Sequence, residues 1–291
     1  MKIMKFKKLL QKIFKKFFQF LFHIIYGKVR LISQETNIGL KKFLIKKILI
    51  NDKEYNVENN IYEVSEARIY TDLVEHVAII KNNIIVPEIS YQQVNGELKN
   101  TSFNKVLKNG TTRFKKKFNG NVLSLAQGAS GNNYFHFLFD VVSKLLIFEQ
   151  KFDFKNIDYF YMPNDFDWQK KIISKFDIPE NKLINSQKYR HINANKIFAV
   201  EHPWYKKGII QEEIANLPEW IIHSLRNKFL KYKKKFSSTD KIFIDRSDSI
   251  FNHCKLINNQ EVIDFLVSKG FRSYQTSKLD FFEQIYLFNN A

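Results

Sequence analysis

Residues 157–203, IDYFYMPNDFDWQKKIISKFDIPENKLINSQKYRHINANKIFAVEHP, decide the fold class. IDYFYMP is a short apolar run bounded by Pro163, WQKKIISKFD repeats its apolar residues at helical spacing, and NKIFAVEHP is apolar and extended again. Strand, helix and strand in succession predict an α/β layer with a mainly parallel sheet.

Downstream the same rhythm resumes. A long helix is expected from about Pro218 to Lys234, and the charged stretch KYKKKFSSTD (231–240) has the composition of a linker. KIFIDRS then predicts a strand, NNQEVIDFLVSKG a helix closed by Gly270, FRSYQT a strand and LDFFEQIYLFNNA a helix. An open doubly wound sheet uses about five or six strands. Two strand–helix units after the linker are therefore expected to form an incomplete second domain.

Upstream, NVLSLAQGAS (121–130) predicts a buried strand entering a loop, and Tyr134 to Gln150 has helical periodicity. RIYTDLVEHVAIIKNNIIVPEIS (68–90) predicts short strands with a turn at Asn82-Asn83, since asparagine tolerates the positive φ of such turns. Residues 51–60 are polar. The expected organisation is a basic helix over 1–30, a connecting segment over 31–60, an α/β domain over 61–234 and a partial domain over 235–291.

The 291-residue chain carries a formal net charge of +18 from 47 Lys and Arg against 29 Asp and Glu. The charge is concentrated: residues 1–30 hold eight Lys and Arg30 without one acidic residue. On a helix, Ile3, Phe6, Leu10, Ile13, Phe14, Phe17, Leu21 and Ile24 share one side, while Lys5, Lys8, Lys12, Lys15 and Lys16 share the other. That pattern predicts an interfacial helix on an anionic membrane surface. The uncharged run from Phe17 to Tyr26 is too short for a span of about 20 residues, and no cleavage site of a secretory signal follows it. Cys254 is the one cysteine, which excludes an intramolecular disulfide and fits a reducing, cytoplasmic setting.

Three constellations carry candidate chemistry. In GNNYFHFLFD (131–140), His136 and Asp140 stand one helical turn apart, so the carboxylate can fix the imidazole tautomer and either group can take a proton from a sugar hydroxyl. The loop GASGNN before them, with Asn132, Asn133 and Tyr134, delivers a helix start suited to a hydroxyl-rich or anionic ligand. In IFIDRSDSIFNHCKL, Arg246 follows a strand at its carboxyl end, where it can grip a diphosphate with Lys255 beside it, or else pair with Asp245 or Asp248. Asp165 and Asp167 form a DxD that suits a divalent cation, but capping of the helix beginning at Trp168 accounts for them equally. His253-Cys254 carries no dyad by adjacency alone, and glycine-rich phosphate loops and the serine-hydrolase and zinc-protease motifs are absent.

RIYTDLVEHVAIIKNNIIVPEISYQ, GNNYFHFLFDVVSKLLIF, KIFIDRSDS, KLINNQEVIDFLVSKGF and FFEQIYLFNNA occur in the order seen in glycosyltransferase family 61, and the chain resembles the bacterial members described as capsular polysaccharide biosynthesis proteins. The resemblance implies a GT-B architecture of two Rossmann-like domains and inverting transfer from a nucleotide-sugar to a glycan acceptor, lipid-linked or free, without a cofactor or an essential metal. It implies catalytic roles for His136 and Asp140 and donor contacts for Arg246, Lys255, Asn258, Glu261 and Gln284. Asn259 stands where the family commonly has Glu, and Ser143-Lys144 replace a frequent Pro-Arg. The family's Gly-His-Gly-Ala-Gly loop would follow Ala291, so a fragment is expected. Two other classes fit parts of the pattern: an inactive membrane-bound glycan-binding scaffold, and a basic nucleic-acid-binding protein. The concentration of charge in one amphipathic helix and the lack of a nucleic-acid-binding signature argue against the latter.

Overall fold

The computed structural model describes residues 2–31, 38–71, 77–90, 92–94, 97–99, 101–128, 130–206, 209–249 and 256–291, excluding the side chains of 2–9, 92–94 and 97–99. Its strands are β1 (Lys41–Ile50), β2 (Lys53–Thr71), β3 (Val77–Lys81), β4 (Ile84–Ile85), β5 (Gln92–Val94), β6 (Glu97–Lys99), β7 (Lys116–Ser124), β8 (Tyr159–Met162), β9 (Leu183–Asn185), β10 (His191–Val200), β11 (Ile242–Ile244) and β12 (Arg272–Tyr274). The large sheet runs β4-β3-β2-β10-β7-β8-β9, with β1 also paired to β2.

The α/β class holds, but the sheet is mixed rather than mainly parallel. Strands β10, β7, β8 and β9 are parallel, whereas β2 meets β1, β3 and β10 antiparallel. Turn chemistry explains the antiparallel half. Asn51 and Asp52 have φ of 47° and 63°, and Asn82 and Asn83 have 50° and 61°, so both hairpins reverse through left-handed pairs that these residues tolerate. The Asn82-Asn83 turn lies where the sequence places it. Residues 41–60, expected as a connection, instead supply β1 and the first part of β2. In KKFLIKKILI the lysines point out while Ile45, Ile48 and Ile50 enter the core, a pattern that lysine richness obscures.

Both faces of the parallel half are apolar, as helices and further chain covering both sides require. Phe198 and Val200 of β10 join a core with Leu123, Phe160 and the helical residues Phe137, Val141, Leu145 and Phe148. Ile197 and Ala199 point the other way, toward Val64, Ile69, Val122, Tyr161 and Ile184.

Within the parallel half, the chain passes from β7 to β8 and β9 on one side and then returns to β10 on the other. Open α/β sheets bind ligands at such reversals, in the crevice beyond the carboxyl ends of the two strands. That crevice lies beyond Ser124 of β7 and Val200 of β10.

Helix Lys2–Tyr26 rests on the sheet by its second half: Phe22 is buried, stacks with Tyr26 at 5.8 Å between ring centroids and meets Phe114 edge-on at 5.1 Å. Among the described residues no helix is long and apolar enough to cross a membrane. Residues 235–291 form the parallel pair β11–β12 with helices Asn259–Ser268 and Phe281–Asn290. Gly270 (φ 84°) follows the first helix as expected. Phe281 enters the main core against Phe229, at 5.2 Å, so the two units pack together.

Candidate functional site

Beyond β7 the chain continues along the sheet, with Leu125 N and Ala126 N donating to Tyr161 O at 2.9 and 3.1 Å. It then turns, with Ser130 Oγ donating to Gln127 O. The buried Gln169 side chain holds this loop from below, its Nε2 donating to Gly131 O at 2.9 Å. Asn133 caps the following helix, its side chain accepting from His136 N at 3.3 Å.

That helical run comprises an α-turn at Tyr134–His136, a π-helical segment at Phe137–Val142 and an α-helix at Ser143–Phe148. Ser143 Oγ donates to Leu138 O at 3.2 Å across the widened turn. Single-turn π segments occur often at functional sites because the extra residue re-aims side chains. Phe137, Val141, Leu145 and Phe148, all fully buried, anchor the run to the sheet.

His136 Nδ1 lies 2.9 Å from Asp140 Oδ2. The Asp140 side chain is 0% exposed and that of His136 13%. The other carboxylate oxygen is met by the loop beyond β10: Trp204 Nε1 donates to Asp140 Oδ1 at 2.7 Å, and His202 Nε2 stands 3.7 Å from the same oxygen. Tyr205 N donates to His202 Nδ1 at 3.0 Å, which places the proton of a neutral His202 on Nε2, facing Asp140. Burial keeps His202 neutral by pushing its pKa well below the ordinary value, an effect increased by Lys144 and Lys206.

Lys144 is buried beneath this group, and its ammonium donates to Gln127 Oε1 at 2.9 Å. Burial lowers its pKa to about 8 against the pull of Asp140. For Asp140, burial raises the pKa, opposed by His136, Trp204 and Lys144. A carboxylate only accepts, so His136 presents Nδ1–H to Asp140 and leaves the Nε2 lone pair free to take a proton. Asp140 itself is sealed from solvent. Of the pair, His136 is the member that reaches the surface.

The second constellation is built differently from its sequence reading. Arg246 is exposed just past β11, and among the described residues it pairs with neither aspartate. Asp245 instead accepts from Ser247 N at 2.9 Å, Ser247 Oγ at 2.8 Å, Asn259 Nδ2 at 3.1 Å and Gln275 Nε2 at 2.9 Å. Burial would raise its pKa, but these donors outweigh it and the net shift is downward. Asp248 accepts from Ser277 N at 3.2 Å. Lys255, with His253 and Cys254, lies outside the described residues. Asn258 and Glu261 are exposed and bond to each other at 3.3 Å.

Gln284 Nε2 donates to Thr276 O and Leu279 O, at 3.0 and 3.1 Å, tying down the loop ahead of the last helix. Gln284 also lines an apolar cavity of about 360 Å³ with Tyr134, Leu138, Arg226, Phe229 and Phe281. Tyr134 packs there on Trp168 and Phe281, at 4.8 and 5.8 Å between rings, while Asn132 is exposed in the preceding turn. Asp165 accepts from Asn185 Nδ2 at 2.8 Å, and Asp167 stands in the first turn of helix Asp167–Ile173, whose cap is Phe166.

Sequence reading missed Trp204, His202, Lys144, Gln127 and Gln169. EHPW, immediately after β10, carried a usable signal: polar and aromatic residues beyond the carboxyl end of a strand. The strand order needed to aim it at Asp140 is not contained in the local sequence.

The family model described as Glycosyltransferase 61 matches residues 134–291, more than half of the chain, beginning at the first residue of the helical run that carries His136 and Asp140. No curated protein matches the chain.

Proposed function

We propose that this chain, which belongs to glycosyltransferase family 61, moves a sugar from a nucleotide-sugar to a glycan acceptor with inversion, His136 acting as the base. The observation that carries this reading is the His136–Asp140–Trp204 chain at the sheet's switch point. Its buried carboxylate holds an imidazole whose second nitrogen is free. His136 Nε2 takes the proton of the acceptor hydroxyl as that oxygen attacks the anomeric carbon from the face opposite the leaving group. The bond to the nucleotide diphosphate breaks, and its departing charge is met by Arg246 and Lys255, with Asn258, Glu261 and Gln284 shaping the donor side. No metal ion is assigned to this step, since Asp165 and Asp167 are accounted for by Asn185 and the helix start.

The remaining parts of the reading are a role in capsular or other surface polysaccharide synthesis and a place on the inner face of the membrane, where lipid-linked acceptors reside. Helix Lys2–Tyr26 supports membrane docking. Ile13, Phe14, Phe17, Phe20 and Ile24 are exposed on it beside Lys12, Lys15 and Lys16, while Phe22 holds it to the body.

The test is release of nucleoside diphosphate from a panel of nucleotide-sugars in the presence of glycan acceptors. His136→Ala should abolish the release while the far-ultraviolet circular dichroism spectrum stays that of the unaltered protein, although the melting temperature falls because the buried Asp140 loses a donor. Equal turnover by the variant sinks the assignment.

A further inference from the structure

The part of the sheet beneath the end of the amphipathic helix holds a buried cation that the transfer chemistry does not use. Arg68, on β2, is 8% exposed. Its Nη1 donates to Thr111 Oγ1 at 3.0 Å and faces His191 Nε2 at 3.4 Å; its Nη2 donates to Asn83 Oδ1 and, at 3.4 Å, to Tyr26 O. All of these partners are neutral. His191 Nδ1 sits 2.7 Å from Arg113 O, which fixes the proton there and makes Nε2 an acceptor for Arg68. Burial holds His191 neutral, lowering its pKa to about 4, and lowers that of Arg68 to about 10.

Proteins pair the cations they bury, because an ion taken from water without a counter-charge is costly. Among the described residues no carboxylate is paired with Arg68. Instead a cavity of about 260 Å³ opens on it, lined also by Tyr26, Asn82, Asn83, Lys115 and Asn193. Lys115 adds a second cation, its ammonium 5.4 Å from the centre of the Tyr26 ring, and its pKa is lowered by burial and by Arg68. Glu66 stands exposed on the wall and pairs with neither cation. Gly27, at φ 76°, brings the helix end against this wall: a Cβ there would lie 2.3 Å from Asn83 Nδ2.

We propose that this cavity binds a phosphate group between Arg68 and Lys115, at the root of the amphipathic helix. Two cations with side-chain amides around a space of this size suit a tetrahedral oxyanion: the guanidinium, its four Nη hydrogens held by Thr111, His191, Asn83 and Tyr26, contributes a fixed positive charge, and the ammonium a second one with its own donors. The group can come from a lipid headgroup, since the exposed Ile25 lines the cavity, or from a soluble phosphate ester. The inference stands apart from the transfer reaction and survives its failure.

The experiment uses the full chain, Lys115→Gln, and Lys117→Gln as a control that removes the same charge from an exposed site outside the cavity. At constant ionic strength, about 10 mM inorganic phosphate should raise the melting temperature of the unaltered protein and of Lys117→Gln, by mass action on the folded state. Lys115→Gln should lose that shift. In the second arm, sedimentation is measured with phosphatidylcholine vesicles containing phosphatidic acid. If the source is a headgroup, Lys115→Gln partitions about fivefold less than Lys117→Gln. If the source is soluble, the two variants partition alike and glycerol 3-phosphate reproduces the phosphate shift. The proposal stands if either arm separates Lys115→Gln from Lys117→Gln and falls if neither does.

Discussion

Asp140→Asn should remove activity without weakening the fold. Trp204 Nε1–H can only donate, so the new amide must turn its oxygen toward Trp204, where Asp140 Oδ1 now accepts at 2.7 Å. Its NH₂ then faces His136 Nδ1, which is 2.9 Å from the present Oδ2. A donor facing Nδ1 forces the imidazole proton onto Nε2, the nitrogen that must accept the acceptor hydroxyl's proton. Loss of a general base costs about 10²- to 10⁴-fold in kcat, or about 2.7–5.5 kcal/mol of barrier. Stability moves differently. Burial raises the pKa of Asp140 above its unfolded value, so the folded state binds that proton more readily, and stability falls as pH rises from the unfolded toward the folded pKa and stays lower above it. The neutral variant escapes that penalty, and its melting temperature at pH 7 should match or exceed that of the unaltered protein. The assays are nucleoside diphosphate release, thermal melting and the ¹⁵N resonances of His136. More than a tenth of the activity retained, with Nδ1 still protonated, would refute the tautomer argument.

Trp204→Phe keeps the packing but removes one donor to a sealed carboxylate, and urea denaturation should show a loss of about 1.5–3 kcal/mol together with reduced turnover. Lys144 has a folded pKa of about 8 against an unfolded 10.5, so it contributes stability that rises as pH climbs through that interval. Relative to Lys144→Met, the unaltered protein should therefore gain about 2 kcal/mol between pH 7 and 9.5, read from denaturation midpoints. Arg246→Ala should leave stability within about 0.5 kcal/mol, since the side chain is exposed and unpaired among the described residues, while the KM for the nucleotide-sugar rises and thermal melting stays unchanged.

What could be read in the sequence follows from how local each signal is. The π-containing run at Tyr134–Phe148, the helix closed by Gly270 and the Asn82-Asn83 turn are each specified by residues within one or two turns of chain, and each forms. The β1–β2 hairpin was hidden because KKFLIKKILI spaces its buried isoleucines among lysines, so composition masks alternation. The pairing of His136 with Asp140 was legible because four residues suffice to bring them together. Trp204 is 64 residues from Asp140, and only the strand order that sets β10 beside β7 makes them neighbours.

That long-range contact also explains why a buried carboxylate is tolerated at this point. A lone i,i+4 His/Asp pair on an exposed helix would leave the carboxylate solvated and the imidazole free to rotate. Here Trp204 takes one oxygen, His136 the other, and Lys144 supplies positive charge from below, so desolvation is opposed by three groups from two elements. The helix run and the loop after β10 must both be in register for this to hold. The β11–β12 pair is coupled to the same region. A two-stranded sheet is marginal alone, and this one is tied to the body through Phe281, which packs against Phe229 and against Tyr134, two residues before His136. Displacement of the last helix would therefore be felt first at the start of the run that aims the imidazole, before it reached the sheet.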